Sequence, residues 1–240
     1  MGLNNFDVSL YLVLFVFAVL FISSFIHSSV GFGFSILSMT VLPIFLDLIS
    51  VAVVIKITML LITSMMAIKL RDHINFRFII LPTTFLIIGN TFGFYLLMNL
   101  ETDILKVILG IVLVVLGSFN LIFKKKYQIR KSIPADIFFG FLAGVIGGMF
   151  NLAGIVLVIY FYSAIEDKLE YAATMQAAFA ITATYGAFLH LVNGNFSDPN
   201  VVLLTGVSIV AVLIGCFLGL KVLQRISKEM IGVVSYTYMV

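Results

Sequence analysis

The chain has 240 residues, 62% of them hydrophobic and only 10% charged, with a mean hydropathy of +1.22. Soluble domains run nearer half apolar and a quarter charged, so this composition excludes one. The lone Cys216 leaves no disulfide framework and no thiolate metal site, and the net charge of +3 is read first as a signal of membrane orientation.

Apolar runs at 8–46, 51–70, 78–98, 104–123, 135–164, 172–192 and 201–223 fill almost the whole length. No alternating ten-residue pattern appears, which points to an all-α polytopic membrane protein rather than a barrel. Each run of ~20 residues suits one crossing. The runs from 8 and from 135 are too long for one, and each is interrupted by glycine, in SSVGFGFS at 28–35 and GVIGGMFNLAG at 144–154. Each is expected to form two helices meeting at a break. The 30 residues of the second are too few for two full crossings at ~1.5 Å per residue, so a hairpin that enters and leaves by one face is predicted. Pro43 is expected to end or bend the helix after the first break. No cleavable signal is expected, because the N-terminus lacks a basic region.

The chain also matches itself. A shift of 120 pairs Asp47 with Asp167, Ala52 with Ala172, Asn75 with Asn195 and Phe76 with Phe196, and brings both glycine breaks into register. After a small insertion the shift becomes 126, pairing Gly89 and Gly93 with Gly215 and Gly219. Two homologous halves follow: a first transmembrane repeat at 1–123, a basic linker at 124–134 and a second repeat at 135–240. Each half is expected to hold one glycine-broken hairpin and three transmembrane helices. Residues 231–240 match only the start of the 104–123 helix, so either the sequence is truncated or the last helix is cut short.

Charge sets the expected orientation. If both broken segments start and end on one side, the loops at 69–77, 124–131, 166–170 and 221–228 share a face that carries 12 of the 14 Lys and Arg. If each crosses once, Lys168, Lys221, Arg225 and Lys228 move opposite the linker, which the positive-inside rule disfavours. Hairpins are therefore expected, with inverted halves and a cytoplasmic linker in the cell membrane. Inverted repeats with broken helices are characteristic of secondary transporters.

Interrupted helices survive in hydrocarbon only where protein, water or ligand satisfies the backbone. Half-helix N-termini would present N–H groups and a positive dipole end to an anion. Gly31 and Gly33 with Ser28, Ser29 and Ser35, and Gly147, Gly148 and Gly154 with Asn151, are the candidate substrate-binding residues at the breaks; close helix packing is the alternative role for glycine. Lys56 lies inside an apolar helix at a cost of roughly 2.5–3.5 kcal/mol, which makes it the leading candidate for a fixed charge facing an anion. Snorkelling to the interface is its alternative. Its counterpart Gln176 is also polar and intramembrane. His27 is the candidate proton-linked residue, and His190 a weaker one, against a purely structural role for each. Gly89, Gly93, Gly215 and Gly219 read as packing faces, and Asn90 as a bond to a neighbouring helix. No metalloprotease motif, serine elbow, paired intramembrane carboxylates or phosphate loop is present, so no enzyme, cofactor, metal or nucleic-acid partner is expected.

The first break with Pro43, the alanine-containing helix after it and the HINF loop at 73–76 resemble the first half of the sulfite exporter TauE/SafE family. GFLAGVIGG at 140–148, continuing through Asn151, Gly154 and Tyr160, resembles its second half, with Ile155 where a proline often stands. The resemblance covers roughly 10–240. It implies transport of sulfur-containing anions such as sulfite or sulfonates, without ATP and with proton coupling. A secondary transporter working by alternating access is the resulting expectation. A passive anion channel of the same fold and a non-transporting assembly subunit are the alternatives, and homo-oligomerisation is left open.

Overall fold

A computed structural model describes residues 10–122, 129–227 and 230. Among them are nine α-helices: α1 Leu10–Val30, α2 Phe34–Val41, α3 Leu48–Lys69, α4 Phe76–Asn99, α5 Thr102–Ile122, α6 Ile133–Phe150, α7 Ala153–Ala164, α8 Lys168–Val192 and α9 Pro199–Leu223. Six of these, α1, α3, α4, α6, α8 and α9, are long and apolar enough to cross a bilayer. The partition of side chains suits that solvent: Tyr11, Ile80, Tyr95, Val114, Phe138 and Val202 are exposed, while Ser24, His27, Lys56, Thr58, Gln176 and Ser208 are buried. Residues 123–128, which include Lys124 to Lys126 of the basic linker, and 231–240, where a third helix of the second half is expected, lie outside the described residues.

Caps fix where several helices begin. Asp47 accepts from Ser50 N at the start of α3, and Asp167 accepts from Leu169 N and Glu170 N at the start of α8. Those two aspartates are the acidic landmarks that the shift of 120 superposes. Ser132, with Pro134 in the first turn, starts α6 two residues ahead of the apolar run.

Both glycine-interrupted segments are hairpins of unequal arms. At ~1.5 Å per residue α1 is ~31 Å long and α2 only ~12 Å; α6 is ~27 Å and α7 ~18 Å. In the first, Ser38 Oγ donates to Ser23 Oγ at 3.1 Å, and the Phe15 and Phe45 rings meet edge to face at 5.1 Å. A 3-10 turn at Leu42–Ile44, built on Pro43, closes the short arm. In the second, the Tyr160 ring stacks on Phe139 at 5.2 Å. The breaks use matching backbone: Gly31 and Gly33 have φ of 94° and 109°, and Asn151, which the shift aligns with Gly31, has φ 60°. Asparagine tolerates that left-handed conformation better than most side-chain-bearing residues, so it ends α6 as glycine would.

Hydrogen bonds gather the connecting segments at two ends. Asn75 donates to Glu170 Oε1 at 2.7 Å, Lys131 Nζ donates to the Arg77 carbonyl at 3.1 Å, and Lys168 Nζ donates to the Ile226 carbonyl at 2.7 Å. The segments expected to share a basic face thus meet at one end. At the other, Asn195 Nδ2 lies 2.9 Å from His190 Nδ1 and 3.5 Å from Met98 S.

The two halves are interlaced rather than side by side. α4 packs along α6, α1 along α9, and α3 along α8, so each of these pairs takes one helix from each half. Glycine makes the close approaches. A Cβ on Gly89 or Gly93 would strike the backbone of α6 at Phe141 or Val145, and one on Gly215 or Gly219 would strike α1 at Phe21, Ser24 or Phe25. Without water to drive apolar association, such small-residue contact is what holds membrane helices together.

Candidate anion site between the two breaks

A cavity of ≈ 40 Å³ with an open mouth lies where the hairpin tips meet. The start of α2 (Gly33, Phe34, Ser35) lines one side, and the start of α7 (Leu152, Ala153, Gly154) lines another. The first N–H groups of a helix have no partner within it and carry its positive dipole end. Gly154 lies between Phe32 and Phe179, 3.6 and 3.4 Å from where a Cβ would stand, so the two tips meet there at ordinary contact distance.

Among the described residues, Lys56 is the only Lys, Arg, Asp or Glu that lines the cavity. It lies eight residues into α3, roughly 12 Å from that helix's start and so near the depth of a bilayer's middle. The side chain is 5% exposed, and its Nζ donates to the Gly147 carbonyl at 3.4 Å. Gly186 of α8 makes room for it, since a Cβ there would lie 2.8–2.9 Å from Cδ, Cε and Nζ. The ammonium therefore turns inward to the cavity instead of reaching for an interface. Among the described residues the one ion pair is Arg71–Asp72, remote in sequence and exposed, so no carboxylate neutralises Lys56.

Two polar atoms at the cavity lack partners. Ser35 Oγ and Asn90 Oδ1 are buried and unbonded, although both residues line the space. Unmet buried polar groups cost about 1–3 kcal/mol each, and a solute or water in the cavity would be within reach of these two.

Gln176 and His27 hold the first break in place. Gln176 Nε2 donates to the Gly31 carbonyl at 2.7 Å, which orients its Oε1 to accept from His27 Nε2 at 3.0 Å. His27 Nδ1 then accepts from Phe34 N at 3.5 Å, so both ring nitrogens are in use. The second break is held in the same manner: Asn151 Nδ2 donates to the Ala52 carbonyl at 3.1 Å, and Lys56 binds at Gly147. In each half the helix that follows the hairpin, α3 or α8, thus grips the hairpin of the other half.

The family model for sulfite exporter TauE/SafE matches residues 16–240. The chain belongs to the TauE/SafE family. That membership makes it a multi-pass membrane protein of an anion-transporting family. No curated protein and no solved structure gives a significant match.

In this TauE/SafE protein the residues expected at the site divide into three groups. Gly33, Ser35, Lys56, Gly147, Asn151, Gly154 and His27 line the cavity. Gly31 and Gln176 lie behind it and bond to each other. Ser28, Ser29 and Gly148 are turned away: the serines lie against Gly219 of α9, and Gly148 against Asn90 and Phe94 of α4. Asn90 and Thr182 line the cavity without having been expected there. Asn90 stood out in sequence as a polar residue within a span, but nothing in one dimension told which way it faced.

Proposed function

We propose that the chain is a secondary transporter that carries a small sulfur-containing anion, such as sulfite or a sulfonate, across the cell membrane by alternating access. The observation that carries this reading is the buried, uncompensated Lys56 ammonium in a cavity capped by two helix N-termini. An anion there would gain a fixed positive charge, the Ser35 hydroxyl and the positive dipole ends of α2 and α7, in surroundings dry enough to make each count. Phe32, Phe34 and Phe179 would exclude water. The basic end is the cytoplasmic face under the positive-inside rule.

The halves are inverted repeats in this reading, supported by the matched breaks, the matched caps and two hairpins that open toward opposite ends. Because the halves interlace, the bodies that rock are not the halves as they lie in sequence. Each mobile body joins a hairpin to the helix it packs on: α1–α2 with α9, and α6–α7 with α4.

Purified protein in liposomes tests the function. Uptake of labelled sulfite or a sulfonate against its gradient, driven by an imposed pH gradient, is the expected result. Movement only down the gradient would identify a channel, and no movement of any tested anion would defeat the reading.

A further inference from the structure

Asp136 is the one buried carboxylate among the described residues, at 2% exposure. It stands in the first turn of α6, where its Oδ1 accepts a hydrogen bond from the Tyr160 hydroxyl of α7. Those helices are the two arms of the second hairpin. Asp136 precedes Gly147 by eleven residues, roughly 16 Å along the helix, so the bond joins the arms at the end opposite the tip that lines the cavity.

The surroundings leave the carboxylate to Tyr160. From α6, Phe139 stacks on the Tyr160 ring, and from α4, Phe78 lies 5.7 Å from it. Lys131 is directed elsewhere: its ammonium sits 4.5 Å over the Phe78 ring and donates to the Arg77 carbonyl. Arg77 on α4, Arg130 ahead of α6, and Glu166 and Asp167 beyond α7 are exposed. None of these charged groups forms an ion pair with Asp136 within 4 Å.

We propose that Asp136 and Tyr160 form a proton-operated latch on the basic end of the second hairpin. The ionised carboxylate accepts a charge-assisted bond that holds α7 to α6; uptake of one proton forms a carboxylic O–H and leaves a neutral bond of roughly half the strength. The end of α7 around Tyr160 is then freed from α6 on the basic side, while its start stays tied to the tip through Asn151 and Leu152. The latch rests on the transporter reading for its purpose, but its existence is measurable without any transport.

Hydrogen–deuterium exchange of 153–164 in lipid nanodiscs, corrected for intrinsic rates, tests it across acidic to alkaline buffers. Protection in the wild type is expected to fall on the order of tenfold on acidification, the difference between a charged and a neutral bond. Asp136→Asn, which keeps an acceptor oxygen but cannot titrate, is expected to give a flat profile. Tyr160→Phe is expected to show weak protection at every pH. A wild-type profile without pH dependence, or an Asp136→Asn profile that follows the wild type, overturns the latch. Should either variant fail to fold, the wild-type profile and the other variant still decide. Absence of anion flux in the wild type would defeat the transporter reading while leaving the exchange result to stand by itself; where flux occurs, its pH profile is expected to flatten in Asp136→Asn.

Discussion

Replacing Lys56 by methionine removes the ammonium and keeps most of the stem's volume. Two opposing effects on stability follow. The cost of an embedded lysine, roughly 2.5–3.5 kcal/mol, is relieved. The Gly147 carbonyl loses its donor, at about 1–3 kcal/mol. The fold should therefore melt at the same temperature or slightly higher. Anion binding should move the other way. A monoanion ~4 Å from the ammonium gains about 4 kcal/mol at an effective dielectric of 20, and screening by a partly open mouth reduces this toward ~2 kcal/mol. The corresponding loss of affinity is roughly 30- to 700-fold. Thermal shift of detergent-purified protein titrated with sulfite and a sulfonate measures both effects in one experiment, because a ligand that binds only the folded state raises the melting point. A variant that melts like the wild type and binds every anion with unchanged affinity would refute the assignment of Lys56 as the charge at the site.

Other expectations follow from the same contacts. Ser35→Ala removes a hydroxyl with no partner, so it should leave the melting point unchanged or higher while weakening anion affinity roughly 10- to 150-fold, the range of one hydrogen bond to a charged group. Gly186→Ala places a methyl against the flexible end of Lys56 and should displace the ammonium, lowering affinity more than stability; equal losses of both would count against it. Gly93→Leu drives a side chain into the Val145 backbone and should destabilise by about 1–3 kcal/mol or more, seen as a lower melting point with or without anion. Asn151→Val should cost about 1–2 kcal/mol because a β-branched residue resists φ 60°, whereas Asn151→Gly should lose only the bond to Ala52.

Much of the architecture was legible because its causes are local. Glycine clusters inside apolar runs announce interrupted helices, Asp47 and Asp167 cap the helices that follow them, and Gly89, Gly93, Gly215 and Gly219 pack as their spacing suggests. Inside the site the reading was coarser. Successive residues on a helix point about 100° apart, so His27 faces the cavity while Ser28 faces α9 and Ser29 turns back to the Phe25 carbonyl, although all three adjoin the same break. Gln176 was expected as a ligand, and it serves the backbone of Gly31 instead; that difference depends on which helix lies opposite. Asp136 escaped notice for a related reason. An acid in the first turn of a helix beside a basic segment reads as a solvated end group, and only the return of α7 buries it under Tyr160.

The gripping of each break by a helix from the other half bears on how such a protein can be taken apart. Cut in the linker and expressed singly, the first fragment would lack Gln176 and α9, and the second would lack Lys56 and α4, so each interrupted hairpin would be without the partners that tie it down. Produced together in one membrane, the fragments supply each other's missing contacts. Complementation in trans, with degradation of either fragment alone, is the behaviour that this mutual dependence demands.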